Sequence, residues 1–314
     1  MDFPLSREHA SRLVVLPETG STNDELIARA AQGPGEWPDL SVLVTTNQTG
    51  GRGRLGRVWV APAGKSLAVS VLLRPGRAGA LPPESLGWLP LIAGIAMTRA
   101  VASLVPAGRV GMKWPNDVQI DGLKVAGLLA EVAGMSAVSA DPPEPTRDGL
   151  GDPALGDPAL GDPALGDPAP DGSAPAGPFV GDPAVAIVVG AGLNLSMGPD
   201  ELPTPVSTSL ALHGVPSGPL LADAALAAYL RELRSGYLAF IRAQGDPEAG
   251  GAAAGMRELC TTVGREVRVE LPGGDTLFGR AIGVDAAGCL RLAVGEYGAV
   301  QSVAAGDITH LRYE

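Results

Sequence analysis

The chain has 314 residues, 45% of them apolar and 18% charged, which is room for one large domain or two unequal ones with a buried core. A formal net charge of −11 argues against nonspecific binding to nucleic acid. Two isolated cysteines, Cys260 and Cys289, and three scattered histidines, His9, His213 and His310, exclude a disulfide framework and argue against a His/Cys metal cluster.

The opening decapeptide MDFPLSREHA lacks the apolar run of a signal peptide, so a cytoplasmic location is expected. Residues 13–16 read as a strand. Ser21-Thr22-Asn23-Asp24-Glu25 then opens a helix reaching about residue 31, with hydroxyls at the cap and acids in the first turn. Residues 41–45 read as a second strand. GGRGRLGRVW follows at 50–59. Its glycine spacing matches a dinucleotide fingerprint by letters, but Arg57-Val58-Trp59-Val60-Ala61-Pro62 does not open a helix, and no Lys-Ser/Thr pair completes a phosphate loop. The segment therefore reads as a loop between strands whose charge lies on side chains. Arg52, Arg54 and Arg57 repel one another, so the loop is expected to be mobile until ligand anions arrive.

Residues 67–73 read as a strand and 84–104 as a helix. The apolar run from 86 to 105 contains Pro90 and Arg99 and fits a buried helix rather than a membrane span. Residues 109–113 form a strand that ends in Lys113-Trp114-Pro115-Asn116-Asp117. Strands at 124–132 and 184–190 flank a stretch that contains GDPALGDPALGDPALGDPAP. Glycine and proline in every five-residue unit prevent a core, so 139–182 reads as a disordered insertion at a hairpin tip. Residues 141–182 hold nine acids against one base, Arg147, and so carry most of the net charge. Residues 219–243 have helical period, with Leu226, Leu230, Leu233, Leu238 and Ile241 as core. After Gly264, short alternating strands separated by glycine turns predict a small β-barrel-like module. The expected organisation is an α/β domain over 1–262 and a small β domain over 263–314.

Four clusters carry more polar residues and glycines than packing requires. They are Gly20-Ser21-Thr22-Asn23, Gln48 with 50–59, Lys113 to Asp117 with Lys124-Val125-Ala126-Gly127, and Gly190-Ala191-Gly192-Leu193-Asn194. The first also suits a plain helix cap. Lys124, before an apolar strand, can hold an isolated ammonium at the strand mouth, suited to a phosphate or carboxylate. Trp59 and Trp114 suit either aromatic walls or core.

These motifs, in this order and at these spacings, resemble the bacterial biotin–protein ligases, the biotin–[acetyl-CoA carboxylase] ligases. The resemblance spans 20–194, and the β module after 264 fits that family's C-terminal domain. It implies a class II aminoacyl-tRNA synthetase-like mixed sheet followed by an SH3-like barrel. It implies that biotin and ATP, with Mg²⁺, form biotinyl-5′-AMP, which a lysine of a biotin carboxyl carrier domain of an acyl-CoA carboxylase then attacks. Lys124 and Arg52 become the catalytic candidates. Ser21, Thr22, Asn23, Gln48, Gly51, Arg52, Arg54, Lys124 and Gly127 become biotin-binding candidates. Arg54, Arg57, Trp59, Lys113, Asn116, Asp117 and Asn194 become nucleotide-binding candidates, with Asp117 and Asn194 also near Mg²⁺; no protein cluster binds a metal by itself. The insertion departs from the family pattern. The DNA-binding domain of repressor-type members is not expected, because the first strand begins near residue 12. A monofunctional enzyme without DNA or membrane partners is expected, as a monomer or weak homodimer. The rival readings are lipoate attachment, a transcriptional repressor and a catalytically idle biotin-binding module. The polar set at Ser21, Thr22 and Gln48 weighs against the first, the missing DNA-binding element and acidic charge against the second, and the arginines with Lys124 against the third.

Overall fold

The computed structural model describes residues 2–59, 61–77, 81–136, 184–271, 274–295, 297–304 and 306–310. The expected insertion at 139–182 lies outside the described residues.

In chain order the larger part comprises α1 (Pro4–Arg7), β1 (Arg12–Val15), α2 (Thr22–Ala30), β2 (Ser41–Thr45), β3 (Gly51–Arg52), β4 (Val58–Trp59), β5 (Ser66–Leu73), α3 (Trp88–Leu104), β6 (Val110–Lys113), β7 (Asp117–Ile120), β8 (Leu123–Ser136), β9 (Ala184–Asn194), α4 (Leu221–Arg242) and α5 (Ala252–Leu259). Seven strands form one sheet in the order β1-β2-β5-β9-β8-β7-β6. Only β1 and β2 run parallel, and the remaining neighbours are antiparallel. Strands β2 and β5 are buried along their whole length. The period of two explains this, because both faces are covered. Val42, Val44, Val69 and Val71 pack in one cluster with α3 and α4, whereas Leu43 and Leu72 pack in another with Leu26 and Ala30 of α2 and with Trp37.

The helical stretch Pro83–Leu104, whose last part is α3, is long and apolar enough to cross a membrane by length and composition, but 72% of its apolar window is buried in the fold. In α4, Leu226, Leu230 and Leu233 are buried as expected. Leu238 and Ile241 are only partly buried, because Tyr237 and Phe240 occupy the inner face there. The expected hairpin between the flanks of the insertion is present: β8 and β9 pair from Ala126↔Leu193 to Ser136↔Ala184.

The C-terminal strands are β10 (Glu266–Glu270), β11 (Thr276–Val284), β12 (Leu290–Val294), β13 (Ala299–Val303) and β14 (Asp307–His310). They form an antiparallel sheet in the order β13-β12-β11-β10-β14. Among the described residues no pairing joins β13 to β14, so this sheet is open and the expected closed barrel is not formed. Its inner residues, including Val267, Val269, Leu290, Leu292 and Ile308, belong to the main core cluster. Hydrogen bonds from Trp88 Nε1 to Ala286 O at 2.8 Å and from Trp114 Nε1 to Gly288 O at 3.3 Å fasten it to the larger part, and Thr261 N to Met112 O at 2.8 Å ties down the segment that leads into it.

Candidate active site

Ser21 caps α2 by accepting from Asp24 N at 3.3 Å, which sets Thr22 and Asn23 in the first turn, facing the sheet. The strand-like pairing of Thr19 with Gln48, with Gly50 N bonded to Gly20 O at 2.7 Å, brings Gln48 alongside. Gln48 Oε1 then accepts from Thr22 N at 2.9 Å and from Thr22 Oγ1 at 3.2 Å. Ser70 Oγ, on the buried strand β5, stands 2.6 Å from Asn23 Oδ1 and 2.8 Å from Thr22 Oγ1. Asn23 Nδ2 donates to Glu131 Oε2 at 2.7 Å and to Leu129 O at 3.2 Å. Thr22 and Asn23 are thus buried with their polar atoms partnered, as buried polar groups require.

The arginine segment is a small hairpin rather than an open loop. β3 and β4 pair Gly51 with Trp59 and Arg52 with Val58, and a 3₁₀ turn over Arg54–Gly56 joins them. Gly51 does not line the cavity. A Cβ there would lie 2.5 Å from Gln48 Nε2 and 2.6 Å from Trp59 O, so the glycine lets Gln48 approach. Arg52 Nη2 donates to Asp24 Oδ1 and, at 2.9 Å, to Glu131 Oε2. Arg54 Nη1 donates to Asn116 Oδ1 at 3.1 Å. The expected mutual repulsion of the arginines is therefore met within the protein by two carboxylates and an amide.

Trp59 lies on the sheet over two bare backbones. A Cβ at Gly192 would be 2.5 Å from its ring, and one at Gly127 would be 3.0 Å from Lys124 Cε and 3.5 Å from the same ring. The Trp59 Nε1 hydrogen is buried without a hydrogen-bond partner among the described residues. A Cβ at Gly190 would come within 2.2 Å of Asn23 Oδ1. The glycine pair in β9 thus makes the floor on which Trp59 and Asn23 rest. Lys124 Nζ is 2.6 Å from Asp117 Oδ1, so Lys124 is paired, not the isolated charge that its strand-end position suggested. Asn194 Nδ2 donates to Thr208 O at 2.8 Å, and its buried Oδ1 has no partner among the described residues. Trp114 is core, 1% exposed, and its backbone N–H donates to Thr262 Oγ1 at 3.0 Å.

One cavity of about 350 Å³ gathers Ser21, Thr22, Asn23, Gln48, Arg52, Arg54, Arg57, Trp59, Lys113, Asn116, Asp117, Lys124, Gly127 and Asn194. That volume is in the range of small-ligand sites. Two walls were missed in the sequence. The first is the strap Pro203, Thr204, Val206 and Ser207, held to the start of β8 by Lys124 N to Val206 O and Thr208 N to Lys124 O, both 2.8 Å. Proline and hydroxyl residues there read simply as loop. The second is Gly306, Ile308 and Thr309, from the end of the chain. Nothing local in those residues signals a cavity; the docking of the small sheet brings them there. Among the described residues no group of three or more His, Cys, Asp or Glu side chains is placed to hold a metal.

Similar known proteins place the chain in a family. The Biotin/lipoate A/B protein ligase family matches residues 17–140, and the Biotin protein ligase C terminal domain matches 262–311. A biotin--[acetyl-CoA-carboxylase] ligase of Mycobacterium tuberculosis is 37% identical over 96% of this chain and 90% of its own length. A ligase of the same name from Paracoccus denitrificans is 42% identical over 38% of this chain and 47% of its own. The fold is shared with biotin protein ligase from Aquifex aeolicus in complex with biotin and ATP, at a TM-score of 0.62 and 22% identity, covering 96% of this chain and 100% of that one. By its near full-length identity to a named ligase, the chain belongs to the biotin protein ligase family.

Proposed function

We propose that this protein is a biotin–[acetyl-CoA carboxylase] ligase that joins biotin to a lysine of a biotin carboxyl carrier domain at the expense of ATP. The observation that carries the reading is the single cavity in which a buried hydroxyl–amide network, an arginine hairpin and the Lys124–Asp117 pair meet.

In the first step a biotin carboxylate oxygen attacks the α-phosphorus, and pyrophosphate leaves. In the second the carrier lysine amine attacks the acyl carbon, AMP leaves with the bonding pair, and the amine loses a proton. Thr22, Asn23 and Gln48 offer donors and acceptors to a ureido head group. Two anions must approach each other in the first step, which Arg54, Arg57, Lys113 and Lys124 favour by charge and orientation. Lys124, already aimed by Asp117, stabilises charge gathering on the acyl phosphate oxygens. Trp59, over the glycine floor, excludes water from the mixed anhydride. Gly51 and Gly127 act by leaving space for Gln48 and Lys124. Mg²⁺ fits the chemistry of this wall: the unpartnered Asn194 Oδ1 and the Asp117 carboxylate offer hard oxygens, and the ion would neutralise phosphate charge.

Residues 1–262 serve as the catalytic domain, on a class II synthetase-like sheet. Residues 263–314 serve as the SH3-like C-terminal module, here an open sheet. The protein works in the cytoplasm, and the carrier domain is its macromolecular partner.

Pyrophosphate release from purified protein should require biotin and ATP together, and lipoate in place of biotin should give none. Equal release with lipoate would favour the lipoate branch. No release with either, despite biotin binding, would favour an idle binding module.

A further inference from the structure

We propose that Glu131 is a positioning residue that fastens the arginine hairpin to the head-group network; the functional part of this inference rests on the ligase reading above. One carboxylate oxygen, Glu131 Oε2, accepts from Asn23 Nδ2 at 2.7 Å and from Arg52 Nη2 at 2.9 Å. No other described residue joins these two groups. Through Asn23 the connection continues to Ser70, Thr22 and Gln48, the polar end of the cavity. Through Arg52 it reaches β3 and so the whole hairpin.

The position of Glu131 in the fold makes this connection rigid. It lies in β8 and pairs with Val188 of β9, a strand that β5 pairs on its other side, so its backbone is held along that edge by the sheet. Asn23 is fixed as firmly, in the first turn of α2 and over the glycine at 190. Arg52 has the least backbone support of the three, on a two-residue strand. Asp24 also holds Arg52, but its side chain is 59% exposed against 24% for Glu131. Exposed ion pairs contribute little, so Glu131 carries most of the hold. The Arg52 guanidinium thus anchors the hairpin to the protein, while Arg54 and Arg57 extend along the cavity. A hairpin already fastened loses less freedom when ligand binds, which favours affinity.

Glu131→Gln tests this, because the amide oxygen still accepts from Asn23 while the charge that holds Arg52 is gone. In the ligand-free variant, trypsin should cut after Arg52, Arg54 and Arg57 several-fold faster than in the wild type, with cuts elsewhere unchanged. KM for biotin should rise by roughly tenfold, as befits loss of one charged hydrogen bond, while kcat changes little. Asp24→Asn should show the same pattern more weakly. Cutting at the wild-type rate overturns the proposal. So does faster cutting throughout with a lowered melting temperature, which would make Glu131 a general structural residue. A lower KM also overturns it, because the carboxylate would then compete with the ligand for Arg52. The trypsin arm uses no substrate, so it still tests the fastening if the wild type fails to release pyrophosphate and the ligase reading falls.

Discussion

Lys124 Nζ lies 2.6 Å from Asp117 Oδ1, joining the second residue of β8 to the first residue of β7. Both side chains are mostly buried, at 31% and 21% exposure. An ammonium held this way is oriented before any ligand arrives, and a fixed charge costs no reorganisation when negative charge develops beside it. The pair also prevents the Asp117 carboxylate from being buried alone, which would be costly.

Lys124→Ala should therefore lower adenylate formation by roughly 10²–10³, the usual loss for one preorganised electrostatic contact. Lys124→Arg should not restore it, because a planar fork cannot take the place of a compact point charge beside Asp117. Single-turnover formation of biotinyl-5′-AMP measures both. Wild-type turnover in Lys124→Ala would remove this residue from the chemistry.

The two glycines of β9 make separable demands. Gly192→Ala would place a methyl 2.5 Å from the Trp59 ring, and Gly190→Ala one 2.2 Å from Asn23 Oδ1. Trp59 sits on a short hairpin and can lift, so Gly192→Ala should keep its stability and show altered tryptophan emission with weakened nucleotide binding. Asn23 is locked by three hydrogen-bond contacts and cannot lift, so Gly190→Ala should cost about 1–3 kcal/mol by overpacking. Denaturant unfolding compares the two. Equal destabilisation would contradict the different freedom assigned to Trp59 and Asn23.

Deleting residues 141–180 should leave ligation rate and melting temperature nearly unchanged. Ser136 and Ala184 are paired at the ends of β8 and β9, so residues 137–140 and 181–183 suffice to join them. The closure entropy of a loop depends only weakly on its length. A large loss of activity in the deletion would reveal a role for the repeat.

The residues around the cavity were legible because each needs a type that packing alone does not explain: arginines between glycines, or Lys113 and Trp114 beside a turn that Asn116 and Asp117 could make unaided. The long elements were legible from period, as in α4, whose leucines recur on one face. Contacts made between distant segments were not legible. Nothing near Arg52 announces that Asp24 and Glu131 will hold it, since Glu131 reads as an ordinary polar position in a strand. Nothing near Thr309 announces a cavity 185 residues from Lys124. Trp114 had two readings, wall or core, and only the docking of Thr262 and Gly288 decides for core. Strand closure was also beyond reach, because alternation specifies β10 to β14 but not whether the outermost two meet.

The junction between the two sheets supplies the last prediction. His310 Nε2 lies 3.2 Å from Thr262 Oγ1, the same oxygen that accepts from Trp114 N. Burial first, then the positive charges of Lys113 and Arg265, hold the His310 imidazole down to about 4, against 6.5 for an ordinary histidine. The sign follows from proton binding. Between pH 6.5 and 4 the unfolded chain takes up a proton at His310 that the folded chain refuses, so folded-state stability is present above that window and is lost as pH falls through it. His310 remains partly open to solvent, so after allowance for screening the loss is about 1–2 kcal/mol. His310→Gln can keep a hydrogen bond to Thr262 and cannot titrate. Melting temperatures of wild type and variant between pH 7 and pH 4.5 should therefore converge or cross toward acid, with the variant losing less; carboxylates elsewhere, such as Glu201 and Glu248, titrate in both and cancel in the difference. Parallel curves would show that His310 takes its proton equally well folded and unfolded, and that the junction is not buried in the way described.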